Sequence, residues 1–173
     1  QTAGAQRKDA DLERGHRKRG VMKQKIIIND FDDFRRLEGQ QIVNSDPVEI
    51  TAEGIQDFCR GTFNDEWIHW DRERCQESPL GDLIAPGLYL PALFPYMFWQ
   101  VMEINIPRMI VKGIDRIRIL KPVTIGSKIV GKATVDRVLD RDKGVEVHYA
   151  IEFVFAESGE TAAVCTFINR YWD

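Results

Sequence analysis

The spacing of apolar positions changes character along the chain, and the change predicts the architecture. Phe31, Phe34 and Leu37 recur at three-residue intervals behind Asp30, which predicts a short amphipathic helix closed by Gly39. Val48 to Ile50 reads as a short strand. Thr51 is a good N-cap for a second helix, with Ile55, Phe58 and Cys59 on its apolar face and Gly61 at its end. Residues 62–70 form a loop of polar and aromatic groups. Asp71 caps a further short helix toward Glu77, and Ser78-Pro79-Leu80-Gly81 turns the chain.

Leu83 to Trp99 then run for seventeen residues without a charge or an amide. That length sits at the short end of what spans a bilayer, and Pro86, Pro91 and Pro95 interrupt it. A buried central helix, apolar all round, is the better reading. Gly87 opens it, Pro91 lies near its first turn and Pro95 kinks it. Beyond it the period becomes two. Ile114, Ile117 and Ile119 begin a strand that stops at Lys121-Pro122, and a second follows Ile125-Gly126-Ser127 with Ile129, Ala133 and Val135. After a turn over Asp140 to Gly144, Val145, Val147, Tyr149, Ile151, Phe153 and Phe155 alternate cleanly. Glu157-Ser158-Gly159-Glu160 turns into a last strand from Thr161 toward Tyr171. Helices first, then one long apolar helix, then antiparallel strands: this order predicts a single α+β domain with its sheet packed on a central helix.

Composition narrows the class. The 173 residues suit one domain with a sizeable core, and 27 acidic against 24 basic residues give net −3, a poor balance for coating phosphate backbones. No nucleic-acid or membrane partner is expected. Residues 1–20 hold Arg7, Lys8, Arg14, Arg17, Lys18 and Arg19 and lack an apolar stretch. We therefore divide the chain into a polar, basic extension over 1–21 and a folded domain over 22–173, with Met22 as the expected natural start. The three cysteines, Cys59, Cys75 and Cys165, are odd in number without C-x-x-C spacing, which points to reduced thiols and a cytoplasmic setting. No metal-ligand spacing or phosphate loop is present, so neither metal nor redox cofactor is expected.

Chemistry is concentrated in Gly61-Thr-Phe-Asn-Asp-Glu-Trp-Ile-His-Trp-Asp71. His69 stands within a few residues of Asn64, Asp65 and Glu66. An imidazole beside a carboxylate or amide takes a proton from water near neutral pH. The competing reading is a packed core histidine between two tryptophans. In Leu83-Ile-Ala-Pro-Gly-Leu88, the N–H of Gly87 at a helix start can stabilise charge on a carbonyl oxygen; alternatively, Gly87 only lets two backbones approach. Lys112, Arg116, Arg118 and Lys121 are candidates for meeting phosphates, or a solvated strand face.

The phrases W-I-H-W-D at 67–71 and C-Q-E-S-P-L-G-D-L-I-A-P-G at 75–87, followed by an apolar helix and Lys121-Pro122-Val123-x-Ile125-Gly126-Ser127, resemble the MaoC-like dehydratases. This hotdog-fold family includes (R)-specific enoyl-CoA hydratases. The likeness runs from about Lys25 to the C-terminus. It is greatest to the nodulation-protein-N-like branch, with its G-D-x-x-W-I-H-x-D and later I-A-H-G phrases. The resemblance implies a sheet wrapped around the central helix and a homodimer. It implies hydration of trans-2-enoyl thioesters to (R)-3-hydroxyacyl thioesters, or the reverse. Coenzyme A or phosphopantetheine on a carrier protein would then be part of the substrate. His69 matches the family histidine that shares a water with an aspartate, and Gly87 the glycine whose N–H meets the thioester oxygen.

Two positions depart from the pattern. Asn64 stands where the family has the aspartate, and Pro86 replaces the histidine before the glycine, leaving the Gly87 N–H in place. An amide orients a water but does not exchange its proton as a carboxylate does. Asp65, one place on, is the nearest substitute, with Glu66 more distant. A hydratase or dehydratase is the leading expectation. A non-catalytic acyl-thioester or acyl-carrier binding module and a hotdog thioesterase are the alternatives.

Overall fold

A computed structural model describes residues 25–173; the extension assigned to 1–21, and Met22 with it, lies outside the described residues. The chain forms β1 (Ile26–Ile28), α1 (Phe31–Arg36), β2 (Gln41–Asn44), β3 (Val48–Glu49) and α2 (Ala52–Thr62). A 3-10 turn (Trp67–His69), α3 (Arg72–Gln76), the central α4 (Tyr89–Val101) and β4 (Met102–Ile104) follow. Four long strands end it: β5 (Arg108–Ile119), β6 (Lys128–Arg141), β7 (Gly144–Phe155) and β8 (Thr161–Trp172). A six-stranded sheet runs in the order β2-β6-β7-β8-β5, with β3 also on β6, and its pairings are antiparallel. β1 and β4 make a separate parallel pair.

The period-two stretch behaves as its pattern demands. Val145, Val147, Tyr149, Ile151 and Phe153 of β7 are buried on the inner face, packed with Leu90, Phe94, Met97 and Phe98 of α4. Phe94 lies 4.9 Å from Phe167, and Phe98 lies 5.4 Å from Tyr149, ring centre to ring centre. Helix and sheet approach so closely at Gly131 that a Cβ there would strike Met97 Sδ. Inside the core, the Tyr149 and Tyr171 hydroxyls meet at 2.8 Å, and Asn169 Nδ2 donates to Tyr171.

Several expectations need correction. The apolar run does not become helical at Gly87: α4 begins at Tyr89. The residue before a proline is disfavoured in the helical region, and Ala85 before Pro86 is instead paired, its N–H donating to Val123 O. Pro91 falls in the first turn and Pro95 inside the helix. α4 is not covered all round either: Tyr96 and Trp99 are 50% and 42% exposed. No helix among the described residues is long and apolar enough to cross a membrane. α2 runs to Thr62, one residue past Gly61, and Phe63 caps it in the left-handed region at φ 55°. The turn expected over Asp140 to Gly144 is shorter, because β6 continues to Arg141. β1, β2 and β4 were not foreseen, and β5 begins at Arg108 rather than Ile114. Register shifts at Val111/Gly113 and Asp115/Arg118 interrupt its alternation, and so hide the strand from a period-two reading.

Candidate active site

The loop after α2 is built to hold Asn64 and His69 in place. Phe63 turns the chain at a position where the resembling phrase carries glycine, and its side chain is 94% exposed. Asn64 is then fixed through three atoms. Its N–H donates to Cys59 O, its Oδ1 accepts from the Glu66 N–H at 3.1 Å, and its carbonyl accepts from Trp70 Nε1 at 2.8 Å. The 3-10 turn buries His69 to 5% exposure. Its Nδ1 lies 2.7 Å from Ile84 O. A carbonyl only accepts, so Nδ1 carries the hydrogen, and neutral His69 bears its lone pair on Nε2.

Ile84 is itself anchored. Its N–H donates to Ile68 O, and it bridges to Thr124. The excursion between His69 and Ile84 is closed by a two-pronged pair from Arg72 to Asp82, at 2.9 and 3.0 Å. Hydrogen bonding from the Arg72 guanidinium holds the Asp82 carboxyl below the usual carboxylate range. Arg74 stacks over Trp67 at 4.0 Å from the ring centre.

Two clefts meet at His69, Pro86 and Gly87. One, of about 350 Å³, continues past Leu90, Ile119 and Val123 to Lys121 and Pro122. The other, of about 260 Å³, is lined additionally by Phe58, Thr62, Asn64 and Leu88. Gly87 stands two residues before α4, and its N–H donates no hydrogen bond among the described residues. A Cβ at Gly87 would come within 3.3 Å of Ile119 Cγ1, so the glycine also keeps the first cleft open. The structure thus brings Asn64, His69 and Gly87 together. Asp65 and Glu66 are exposed and line neither cleft, so the place of the family aspartate is taken by the amide alone.

The proposed phosphate cations divide. Lys112 is engaged by Glu146 at 2.6 Å, and Arg118 donates to its neighbour's carbonyl at Ile117. Arg116 lines a cavity on the outer face of the sheet, and only Lys121 reaches the first cleft. Sequence reasoning missed the Ile84 carbonyl, which carries no residue-type signal, and Phe58, Leu88 and Ile119, which read as core. It also missed the Arg72–Asp82 pair, ten residues apart with nothing periodic between them. The three cysteines are buried and free; burial raises all three thiols, Cys165 up to about 12. Among the described residues, no group of three or more His, Cys, Asp or Glu is arranged to hold a metal ion.

Comparison with known proteins identifies the family and the fold. The family model of the MaoC like domain matches residues 33–153. The 3-hydroxyacyl-thioester dehydratase Z of Mycobacterium tuberculosis is 29% identical over 141 residues, covering 80% of this chain and 93% of that protein. Nodulation protein N of Rhizobium meliloti is 33% identical over 111 residues, covering 59% of this chain and 65% of that protein. Among solved structures, the R-hydratase PhaJ1 of Pseudomonas aeruginosa superposes with a TM-score of 0.67 at 18% identity, covering 81% and 85% of the two chains, so the hotdog fold is shared.

Proposed function

The chain belongs to the MaoC-like domain family, and from that premise we propose that it hydrates trans-2-enoyl thioesters to (R)-3-hydroxyacyl thioesters, or dehydrates them in reverse. The observation that carries the reading is the pinned imidazole. Bonding of Nδ1 to Ile84 O leaves Nε2 as the base, at the junction of two clefts that also holds the unused Gly87 N–H.

In the hydration direction, a water stands between His69 Nε2 and Asn64 Nδ2. Asn64 Oδ1 is already occupied by the Glu66 N–H, so its NH2 group is the part free to orient the water. Nε2 takes one proton as the oxygen bonds to the β-carbon, and the electron pair moves to the thioester oxygen as an enolate. The Gly87 N–H, at the positive end of α4, stabilises that charge. The imidazolium returns its proton to the α-carbon. One water is added, and the base is restored. With an amide at position 64, His69 performs both proton transfers.

The test follows the absorbance of crotonyl-CoA and longer enoyl-CoAs. We expect His69→Ala to lose at least about a hundredfold in turnover, the lower scale of general acid–base catalysis. Equal rates in both proteins would remove His69 from the chemistry. Asn64 is also the specific observation behind a second reading, a module that binds acyl thioesters without turning them over. Binding by calorimetry with no turnover over hours selects it. A hotdog thioesterase would instead release free thiol from saturated acyl-CoA, read with a thiol reagent.

The same reading includes a homodimer. β5 lies at the sheet edge and exposes Ile110, Val111, Ile114 and Ile119 by 36–55%. The free thiols of Cys59, Cys75 and Cys165 support a cytoplasmic setting within the same reading.

A further inference from the structure

A thioester has two arms, and the two clefts at His69 are not equivalent. The cleft with Asn64 is walled by Phe58, Pro86 and Leu88 and suits an acyl chain. The other leads to Lys121 and Pro122. These two residues also line a third cavity, of about 600 Å³, that opens on the far side of them. That cavity has a larger polar share in its lining than the first. Ser127, Lys128, Glu157, Ser158 and Glu160 line it, over the aromatic floor of Phe155.

We propose that the third cavity receives the phosphate end of the substrate's pantetheine arm, with Lys128 and Lys121 as its cations and Glu160 as a built-in competitor. This rests on the thioester reading above and adds the position, the charge partners and their control. Lys128 faces Glu49 across the β3–β6 pair yet makes no ion pair among the described residues. Lys121 is bound to Glu160 at 2.6 Å. Hydrogen bonding from Lys121 holds the Glu160 carboxyl below its ordinary range. The cavity is therefore balanced when empty, two lysines against Glu157 and Glu160. A phosphate enters favourably by taking Lys121 from Glu160 and pairing with Lys128. The strand-borne cations Lys112 and Arg116 do not face this cavity, so the phosphate subsite lies in the β5–β6 connection and at the start of β6.

The experiment measures binding, so it does not depend on turnover. Calorimetry compares butyryl-pantetheine, butyryl-4′-phosphopantetheine and butyryl-CoA on the full chain, wild type, Lys128→Ala and Glu160→Gln. The phosphorylated ligands are expected to bind more tightly than butyryl-pantetheine. Lys128→Ala should weaken them about two- to fivefold, the scale of one exposed ion pair. Glu160→Gln should strengthen them by a similar factor, and butyryl-pantetheine should respond to neither change. If butyryl-CoA exceeds butyryl-4′-phosphopantetheine, the nucleotide half contributes beyond the arm. Equality of the two means that the arm alone is read, as free coenzyme or on a carrier protein. Equal affinity for butyryl-pantetheine and its phosphorylated form, or a Glu160→Gln variant that binds the phosphorylated ligands no better, overturns the assignment. Loss of enoyl hydration with this binding pattern intact would overturn the catalytic reading instead.

Discussion

Glu146 offers the cleanest test of the electrostatics that hold β5, β6 and β7 in register. It sits on the outer face of β7, yet is only 5% exposed, because Lys112 at 2.6 Å and Arg141 and His148 at 3.0 Å close over it. Hydrogen bonds from Lys112 first, and then from His148, bring its carboxyl from 4.5 down to about 2, against the opposing cost of burial. At about 1.4 kcal/mol per pH unit, the shift corresponds to at most ~3 kcal/mol of folding stability. Lys112 and Arg141 keep 57% and 40% of their side chains in water. Screening therefore reduces the expected contribution to about 2 kcal/mol.

The folded carboxyl ionises at lower pH than the unfolded one. The contribution is therefore complete above the unfolded value of 4.5 and is lost as pH falls toward about 2. Glu146→Gln keeps the shape and removes the charge. Urea unfolding should show the variant about 2 kcal/mol less stable at pH 7, with the gap narrowing steadily below pH 4.5. A gap of the same size at pH 7 and pH 3 would mean that the loss is one of packing, and the ion-pair account would be wrong.

Asn64→Asp restores a carboxylate beside His69 while keeping an acceptor for the Glu66 N–H. Turnover of crotonyl-CoA should rise about tenfold or more, a modest share of the range for a positioned base; an unchanged rate would show that His69 already suffices. Phe63→Gly relieves a left-handed residue whose ring is 94% exposed. It should leave stability unchanged or raise it by up to about 1 kcal/mol in thermal unfolding, whereas a clear loss would mean the ring packs against something. Gly131→Ala drives a methyl into Met97 Sδ and should cost about 1–3 kcal/mol. Adding Met97→Ala should return part of it, and no recovery would place the strain elsewhere.

Much of the second half was legible because β7 alternates, with Val145, Val147, Tyr149, Ile151 and Phe153 toward the core and Glu146, His148 and Glu152 outward. β8, by contrast, carries apolar residues on both faces and was read from the turn before it. β5 was half legible: its two register shifts exchange the faces, so Arg108 to Gly113 carries no period to read. Asn64, His69 and Gly87 were found as residues, the last two with their neighbours in recognisable phrases. Their meeting was not, because it depends on Ile84 pairing with Ile68 and Thr124, contacts made by backbone groups that every residue type shares.

The sequence by itself determined the α+β order, the single domain, the apolar run that had to be buried and the amide where a carboxylate is usual. Those properties follow from side-chain chemistry and its spacing, which folding does not alter. Only the tertiary structure decided that Asp65 stays exposed and lines neither cleft while Asn64 lines one, and which nitrogen of His69 is free. It also decided that Lys112 serves Glu146, while Lys121 stands between two cavities. Proton ownership and charge pairing are settled within a few ångströms, by groups far apart in the chain, and hydrophobic periodicity carries no record of them.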